Sequence, residues 1–470
     1  MTNEKGLDST VAIIGAGFSG IGVGAQLQRK LSFTDYVVFE KEDNVGGTWL
    51  VNKYPGVACD VPSHFYSYSF ERNPNWSRMF PPGSEIHAYL CMTAVKYGVI
   101  DRTRLRSVIT SAVYEEPTST WLLQVTNLNT RQSYPHRCKV LFMAIGVLTV
   151  PQDCDIPGRK AFKGRILHTA RWDESVSTEN SDVVVIGNGC SGSQVVGALA
   201  FHNRARSIRH FVRSRHYYVT RRANTPFPRL WILACRLIPG FTRLVRAIIF
   251  WIMETNWLFF RVNQLGNLVR AFKERQALRY MKKWTPPEYL PLLLPNFALG
   301  CKRRIFDPDY LKALHCSHVQ LTDDPITHIL PEGVLTVSGR TYPSDLIILA
   351  NGFKLIAGLY DIDIRGAGGV SLQEHWASFG GPEAYNGTAV SHMPNMFLLY
   401  GPNISTSHTS VVYAIENQIA YALTLLRPLL CGHIDRLAVR DSAEVQYSDM
   451  IQYCSGQTVF TKGGCSSVGL

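Results

Sequence analysis

Twice in 470 residues an apolar run ends in G-x-G-x-x-G and passes into helix-compatible sequence, and this repetition predicts an α/β fold with two Rossmann-like dinucleotide-binding domains. Two further observations give the arrangement. Apolar runs close on small residues at Ala144-Ile145-Gly146 and again at Ala350-Asn351-Gly352, which reads as an exit and a return, with the second domain inserted in the first. From Arg221 to Trp284 the spacing of Leu230, Leu233, Leu237, Trp251 and Leu258 turns helical, punctuated by Pro239-Gly240 and ended by Pro286-Pro287, which adds a helical subdomain. The expected boundaries are residues 1–150 and 346–470 for the first domain and 151–345 for the second, with the helical insert at 221–297.

In the first signature Thr10 to Ile14 supplies the strand, Gly15-Ala16-Gly17-Phe18-Ser19-Gly20 the turn, and the helix continues through Gln26-Leu27. About twenty residues on, Tyr36 to Phe39 delivers Glu40 at a strand end, where a carboxylate can bind a ribose 2′-hydroxyl. Gly46-Gly47-Thr48-Trp49 follows, then Tyr54 to Asp60 and the aromatics Phe65, Tyr66, Tyr68 and Phe70. Glycine pairs let backbone approach a flat ring, so the segment reads as a flavin bed, with an aromatic core loop as the alternative. Asp60 is expected to be buried beside it and to need a cationic partner.

In the second signature Asp182 to Ile186 runs into Gly187-Asn188-Gly189-Cys190-Ser191-Gly192. Here the corresponding strand end carries Arg213 in place of an acid, which suits a 2′-phosphate and makes NADP the expected second nucleotide, with one more solvated cation of a basic region as the alternative. Lys302, Arg303 and Arg304 come back towards these domains in a row, and one of them facing Asp60 would supply its partner. Between the two signatures lies Phe162 to Asp173, read as a connector with Gly164, His168 and Trp172 at four-residue intervals.

Composition narrows the choices. Hydrophobic residues at 46% and charged residues at 18% are ordinary for a globular chain. The net charge of +12 is local, because residues 201–310 hold 21 Lys and Arg against 5 Asp and Glu. That argues against a nucleic-acid coat and leaves a phosphorylated cofactor, an anionic membrane surface or water as what the basic face meets; peripheral membrane contact is possible but packing of the insert is expected. The window Leu244 to Phe260 is interrupted by Arg246, Glu254 and Asn256 and is too polar to span a bilayer. The 11 cysteines form no C-x-x-C pair, which excludes a dithiol relay, and no zinc spacing. They read as free thiols and, with the polar start at Met1, suggest a reducing, cytoplasmic location with no metal.

The connector fits the pattern F-x-G-x-x-x-H-x-x-x-W-[PD] through Phe162, Gly164, His168, Trp172 and Asp173. Together with Gly47-Thr48-Trp49, Cys59-Asp60, Tyr66, Gly300 to Arg303, Ala350 to Phe353 and Gly401-Pro402-Asn403, the chain resembles the type I Baeyer–Villiger monooxygenases, within the class B flavoprotein monooxygenases, over nearly its whole length. The sister N- and S-oxygenating enzymes place Tyr or Phe where Trp172 stands. The resemblance implies FAD and NADPH as cofactors and O2 and an apolar ketone as substrates. It further implies a C4a-peroxyflavin that inserts oxygen next to the carbonyl, giving an ester or lactone. It assigns Arg303 to the peroxide anion, Asp60 to Arg303, and Lys302 with Arg213 and Ser214 to the 2′-phosphate. Val108 goes with the first nucleotide, Asn188, Ser191 and Gln194 with the second, and His168 couples the domains. Asn351 departs from the usual Thr of the A-T-G motif, and the family's usual Trp-Tyr pair does not follow Gly463-Gly464-Cys465-Ser466-Ser467. The alternative expectations are therefore an N- or S-oxygenating flavin enzyme and a C-terminally shortened, inactive homologue.

Overall fold

Val11, Ala12 and Ile13 have no exposed surface, because strand β1 (Ser9–Ile14) is hydrogen-bonded in parallel on both edges and covered on both faces. The computed structural model describes residues 8–202, 205–220, 224–355, 357–405 and 407–465. Met1, the Arg221 at which the insert was expected to begin, Ser466, Ser467 and Leu470 lie outside the described residues.

The chain continues through α1 (Phe18–Leu31), β2 (Tyr36–Phe39), α2 (Thr48–Val51), α3 (Gly83–Lys96), β3 (Thr103–Arg104) and the antiparallel meander β4 (Ser107–Glu115), β5 (Thr120–Asn127) and β6 (Ser133–Met143). The second domain opens with β7 (Arg165–His168), β8 (Asp182–Ile186), α4 (Cys190–Phe201), β9 (Ser207–Phe211) and β10 (Tyr218–Val219). The insert holds α5 (Arg229–Leu237), α6 (Phe241–Glu254), a 3-10 run Thr255–Phe260, α7 (Gln264–Trp284) and α8 (Leu290–Leu293). Then come β11 (Ile305–Phe306), α9 (Tyr310–Ala313), β12 (Val319–Thr322), the small sheet β13 (Ile326–Leu330), β14 (Gly333–Thr336) and β15 (Thr341–Pro343), and β16 (Leu346–Leu349). The chain ends with α10 (Ala357–Tyr360), β17 (Asp363–Arg365), α11 (Leu372–Ser378), β18 (Met396–Leu398), α12 (Val411–Leu430), α13 (Asp441–Ser455) and α14 (Val459–Lys462).

The first sheet has the order β17-β4-β5-β6-β1-β2-β3 with β18 also on β6, and the second the order β12-β9-β8-β16-β7. The first domain is thus split in sequence around the second, as expected. Its return comes later than residue 346, because β16 pairs in parallel with both β8 and β7. Four consecutive buried aliphatics there complete the second sheet, and the first sheet resumes only at β17. The connector is also more than a link: Arg165–His168 forms the edge strand of that second sheet.

The free-thiol reading is corrected at one pair. Cys301 and Cys465 form a disulfide across 164 residues, with Cα atoms 6.1 Å apart. Sequence spacing carries no trace of so distant a partner. The remaining nine cysteines are free thiols.

Candidate active site

The two glycine turns are built alike. A side chain on Gly15 (φ +104°) would place Cβ 2.5 Å from Ala144 O, and one on Gly20 would stand 1.9 Å from Gly15 O. At Gly187 (φ +105°) and Gly192 the same distances are 2.5 Å, to Ala350 O, and 2.0 Å, to Gly187 O. Each turn therefore requires glycine first for its positive φ and last for the close packing of helix on strand. A Cβ on Gly189 would meet nothing within 4 Å, so the backbone there is open to a ligand. A Cβ on Gly47 would lie 2.9 Å from Gly17 Cα, so the two glycine loops of the first domain meet backbone to backbone.

Glu40 stands just past β2, as expected. Its carboxylate accepts the N–H groups of Ala16 (2.7 Å) and Glu42 (3.0 Å), and burial raises its pKa in spite of both. Ser107 N–H donates to Glu40 O at 2.8 Å, which brings Val108 alongside. Phe18 meets Tyr66 edge-on at 5.2 Å, Trp49 meets Tyr66 at 5.6 Å, and Trp49 Nε1–H donates to Tyr66 OH at 3.2 Å. Ser19 is buried and Thr48 opens α2 beneath this aromatic wall.

Arg213 lies exposed just beyond β9, and Lys302 is close enough that, after burial, Arg213's charge is what depresses the Lys302 pKa. Burial and the same Lys302 charge push His216 down to about 4. Two cations held this close raise each other's energy, and a dianion between them would lower it. Asn188 Nδ2–H donates to Ser214 O at 2.6 Å and so ties the second glycine turn to the segment that carries Arg213.

Arg303 meets Asp60 through contacts of 2.7, 2.8 and 3.2 Å, a two-pronged ion pair between segments 243 residues apart. Asp60 raises the Arg303 pKa against the opposing effect of burial, and Cys190 at the start of α4 and Tyr400 add to the rise. The guanidinium is thus packed round by both domains, yet its side chain keeps 47% of its surface and that of Asp60 25%. The pair is thus partly open to solvent, so Asp60 is not buried as expected, although its cationic partner is present. Of the two neighbouring cations, Arg304 turns away onto the rings of Phe259 and Phe306, both at 5.2 Å, and burial, then Arg303's charge, lower its pKa to about 10.

Ser191 and Gln194 do something the sequence did not disclose. Tyr54 OH donates to Gln194 Oε1 at 2.7 Å and lies 3.3 Å from Ser191 Oγ, whose hydroxyl can donate to it, while Gln194 Nε2–H donates to Ala58 O at 3.0 Å. They clamp the loop of the first domain onto α4. Clefts of about 530 and 900 Å3 flank this clamp; Trp49, Phe80 and Gln194 line the smaller, and Gly56 and Trp172 the larger. Neither is lined by Arg303 or Asp60.

In the connector, a Cβ on Gly164 would stand 2.3 Å from Asp345 O, while Asp173 pairs with Arg165 at 2.7 Å. His168 Nδ1 accepts from Ala170 N–H at 3.0 Å, so its proton sits on Nε2, facing the Asn351-Gly352-Phe353 segment, with the Phe353 ring edge-on at 5.9 Å. Burial lowers the His168 pKa. This links the connector to the return crossing, a position suited to coupling the domains.

Tyr400 is the residue that sequence reading missed: it holds a left-handed conformation (φ +56°) beside Arg303 and Tyr66. Its adjacency to Gly401-Pro402-Asn403 was the available signal. Among the described residues no group of three His, Cys, Asp or Glu side chains could hold a metal ion.

Two glycine turns, one in each domain, with the Arg303–Asp60 pair set beside Cys190 of the second, define a two-nucleotide oxidoreductase. Residues 13–81 match the NAD(P)-binding Rossmann-like domain family, and residues 64–229 the L-lysine 6-monooxygenase/L-ornithine 5-monooxygenase family. An FAD-binding monooxygenase of Aspergillus niger is 33% identical over 98% of this chain and 76% of its own. A Baeyer–Villiger monooxygenase of Pseudomonas aeruginosa is 32% identical over 97% of this chain and 84% of its own. The structure of a cyclohexanone monooxygenase from Rhodococcus sp. Phi1 bound to NADP+ matches with a TM-score of 0.84 at 25% identity, covering 97% of this chain and 91% of that one. The chain belongs to the Baeyer–Villiger monooxygenase family of flavoprotein monooxygenases.

Proposed function

We propose that this chain uses FAD and NADPH to insert one oxygen atom of O2 next to the carbonyl of an apolar ketone, giving an ester or lactone. The observation that carries the reading is Arg303, held by Asp60 of the first domain and set beside Cys190 at the start of α4 in the second. The residues fit both cofactors. Gly15, Gly17, Phe18, Ser19, Gly20, Glu40, Gly47, Thr48, Trp49, Tyr66 and Val108 would hold FAD, where the Gly17–Gly47 approach leaves bare backbone for a flat ring. Gly187, Asn188, Gly189, Ser191, Gly192, Gln194, Arg213, Ser214 and Lys302 would hold NADPH, and the mutually repelling Lys302 and Arg213 suit its 2′-phosphate.

Bound FAD would supply the redox chemistry, with electrons from NADPH and oxygen from O2. The chain supplies a fixed positive charge. Asp60 grips the planar guanidinium at two points and keeps it protonated, so Arg303 faces developing negative charge without reorganising when the reaction occurs. Removing one such preorganised group costs roughly 10²–10³ in rate.

One observation favours a second reading, N-oxygenation: residues 64–229 match the lysine/ornithine monooxygenase family. Trp172 in the connector and the relative named a Baeyer–Villiger monooxygenase, matched over 84% of its length, support the ketone. Incubation with NADPH and isotopically labelled O2, against separate panels of cyclic ketones, thioethers and primary amines, separates them by mass. A ketone product carrying one labelled oxygen is expected. Labelled amine or thioether product with unchanged ketone would replace the proposal by the second reading, and NADPH consumption with no labelled product from any panel would defeat both.

A further inference from the structure

The outer surface of the insert has a use that the redox site does not absorb. α5 and α6 form a hairpin whose two sides differ. Inward, Trp231 Nε1–H donates to His64 Nε2 at 3.2 Å, and Arg246 donates to the carbonyls of Phe65 (3.2 Å) and Ser67 (2.7 Å). Ile249, Phe250 and Met253 pack on the core of the first domain. Both helices rest on the same segment, residues 64–67, so their outer sides look the same way. Outward, Leu230, Leu233 and Leu237 on α5, Ile238 in the turn, and Leu244, Ile248, Trp251 and Ile252 on α6 are 48–78% exposed. Single exposed apolar side chains are normal; eight on one hairpin, at helical spacing, are not. The expectation that the insert's apolar faces pack against the protein therefore holds for its inner side and fails for its outer one.

The charge of the hairpin selects the occupant. Residues 229–252 contain four arginines and no Asp or Glu. Arg246 turns inward to Glu416, whereas Arg229 and Arg243 are exposed and have no ion-pair partner among the described residues. The excess extends onto α7, since residues 229–284 hold eleven Lys and Arg against two Glu, and Leu265, Leu268 and Phe272 on α7 are 56–71% exposed. A second copy docked on the hairpin would set Arg229 and Arg243 against their own like charges. An anionic lipid surface would neutralise them while the apolar side chains leave water.

We propose that the α5–α6 hairpin is a membrane-docking face that seats the enzyme on a bilayer containing anionic lipids. The exposed leucines, Ile238, Ile248 and Ile252 enter the boundary between headgroups and acyl chains. Trp251 lies at that boundary, and Arg229 and Arg243 meet lipid phosphates. The attachment lies on the surface: among the described residues no helix is long and apolar enough to cross a membrane.

Cosedimentation of the full chain with vesicles of phosphatidylcholine alone, or with about a third phosphatidylserine, tests this. Binding to the anionic vesicles is expected, weakening as added salt shortens the screening length. Arg229→Gln with Arg243→Gln should reduce that binding roughly 30-fold. Ile238→Asp with Trp251→Asp should abolish it on either vesicle, with the melting temperature unchanged because these side chains are exposed. The proposal is overturned if wild type stays in the supernatant with anionic vesicles at low salt. It is also overturned if sedimentation in free solution shows a dimer that the Ile238/Trp251 variant splits, since the face then belongs to a second copy.

Discussion

Arg246 on α6 meets Glu416 on α12 at 3.1 Å with side chains only 11% and 9% exposed, an ion pair that closes the insert onto the first domain. Burial is the largest effect on each partner, lowering the pKa of Arg246 and raising that of Glu416, so the pair is costly to desolvate and costlier to break. Arg246→Ala or Glu416→Ala alone should lose about 3–5 kcal/mol in urea unfolding, because either strands a buried charge. The joint Arg246→Met, Glu416→Leu replacement should lose less than either single change. A double loss equal to the sum of the two would show that the residues act independently.

His210 donates from Nε2 to Gly187 O at 3.0 Å and accepts from Tyr310 OH at 3.1 Å, so a neutral imidazole braces the second glycine turn. Burial pushes His210 from 6.5 to about 4, and His64, His136 and His216 likewise reach about 4. Between those values the unfolded chain binds more protons than the folded one. The stability these histidines contribute is therefore complete above pH 6.5 and is lost as pH falls through about 4. Urea unfolding across that interval should show the decline, with a shallower slope for His210→Gln; an unchanged slope would mean that His210 is already protonated in the fold.

Lys302 and Arg213 supply the discrimination between coenzymes if the second turn takes NADPH. Lys302→Ala should raise KM for NADPH about 10- to 100-fold, the worth of one charge-assisted hydrogen bond to a phosphate, and leave KM for NADH nearly unchanged. An equal rise for both coenzymes would place Lys302 on some group they share.

What could be read beforehand divides by the range of the cause. Gly15, Gly20, Gly187 and Gly192 were legible because the clash that excludes a side chain lies within each turn or against the adjoining strand end, and the motif records it locally. The Arg303–Asp60 pairing was legible as a need, since a carboxylate beside a cofactor site asks for a cation. The partial exposure of the pair was not, because exposure depends on how two domains meet. Tyr54 with Gln194, Arg246 with Glu416, and Cys301 with Cys465 were beyond reach for the same reason: each joins distant segments that share no local pattern. The return at Leu346 was misplaced because four aliphatic residues suit either sheet, and only their hydrogen bonds to β7 and β8 assign them.

The Cys301–Cys465 bridge precedes Lys302 and Arg303 directly, so it anchors the loop that carries both cations to the segment after α14. Reduction, or Cys465→Ser, should cost about 2–4 kcal/mol of stability. Equal melting temperatures with and without a thiol reductant would show that the bridge contributes nothing to the fold.

Arg303 permits a graded test that separates charge from geometry. Arg303→Lys keeps a cation but gives up the planar, two-pronged match to Asp60, whereas Arg303→Ala removes the charge altogether. If the guanidinium stabilises negative charge formed during oxygen transfer, Arg303→Ala should lose roughly 10²–10³ in product formation. The lysine variant should fall between it and wild type. NADPH oxidation should fall less than product in both variants, the difference leaving as hydrogen peroxide, because the coenzyme site proposed at Lys302 and Arg213 is untouched. Asp60→Asn should act in the same direction through the loosened Arg303, and combining it with Arg303→Ala should add little to the alanine change alone, as for two members of one unit. Equal ratios of product to NADPH consumed in wild type, lysine and alanine forms would remove Arg303 from the oxygen-transfer step and leave the pair a structural tie between the domains.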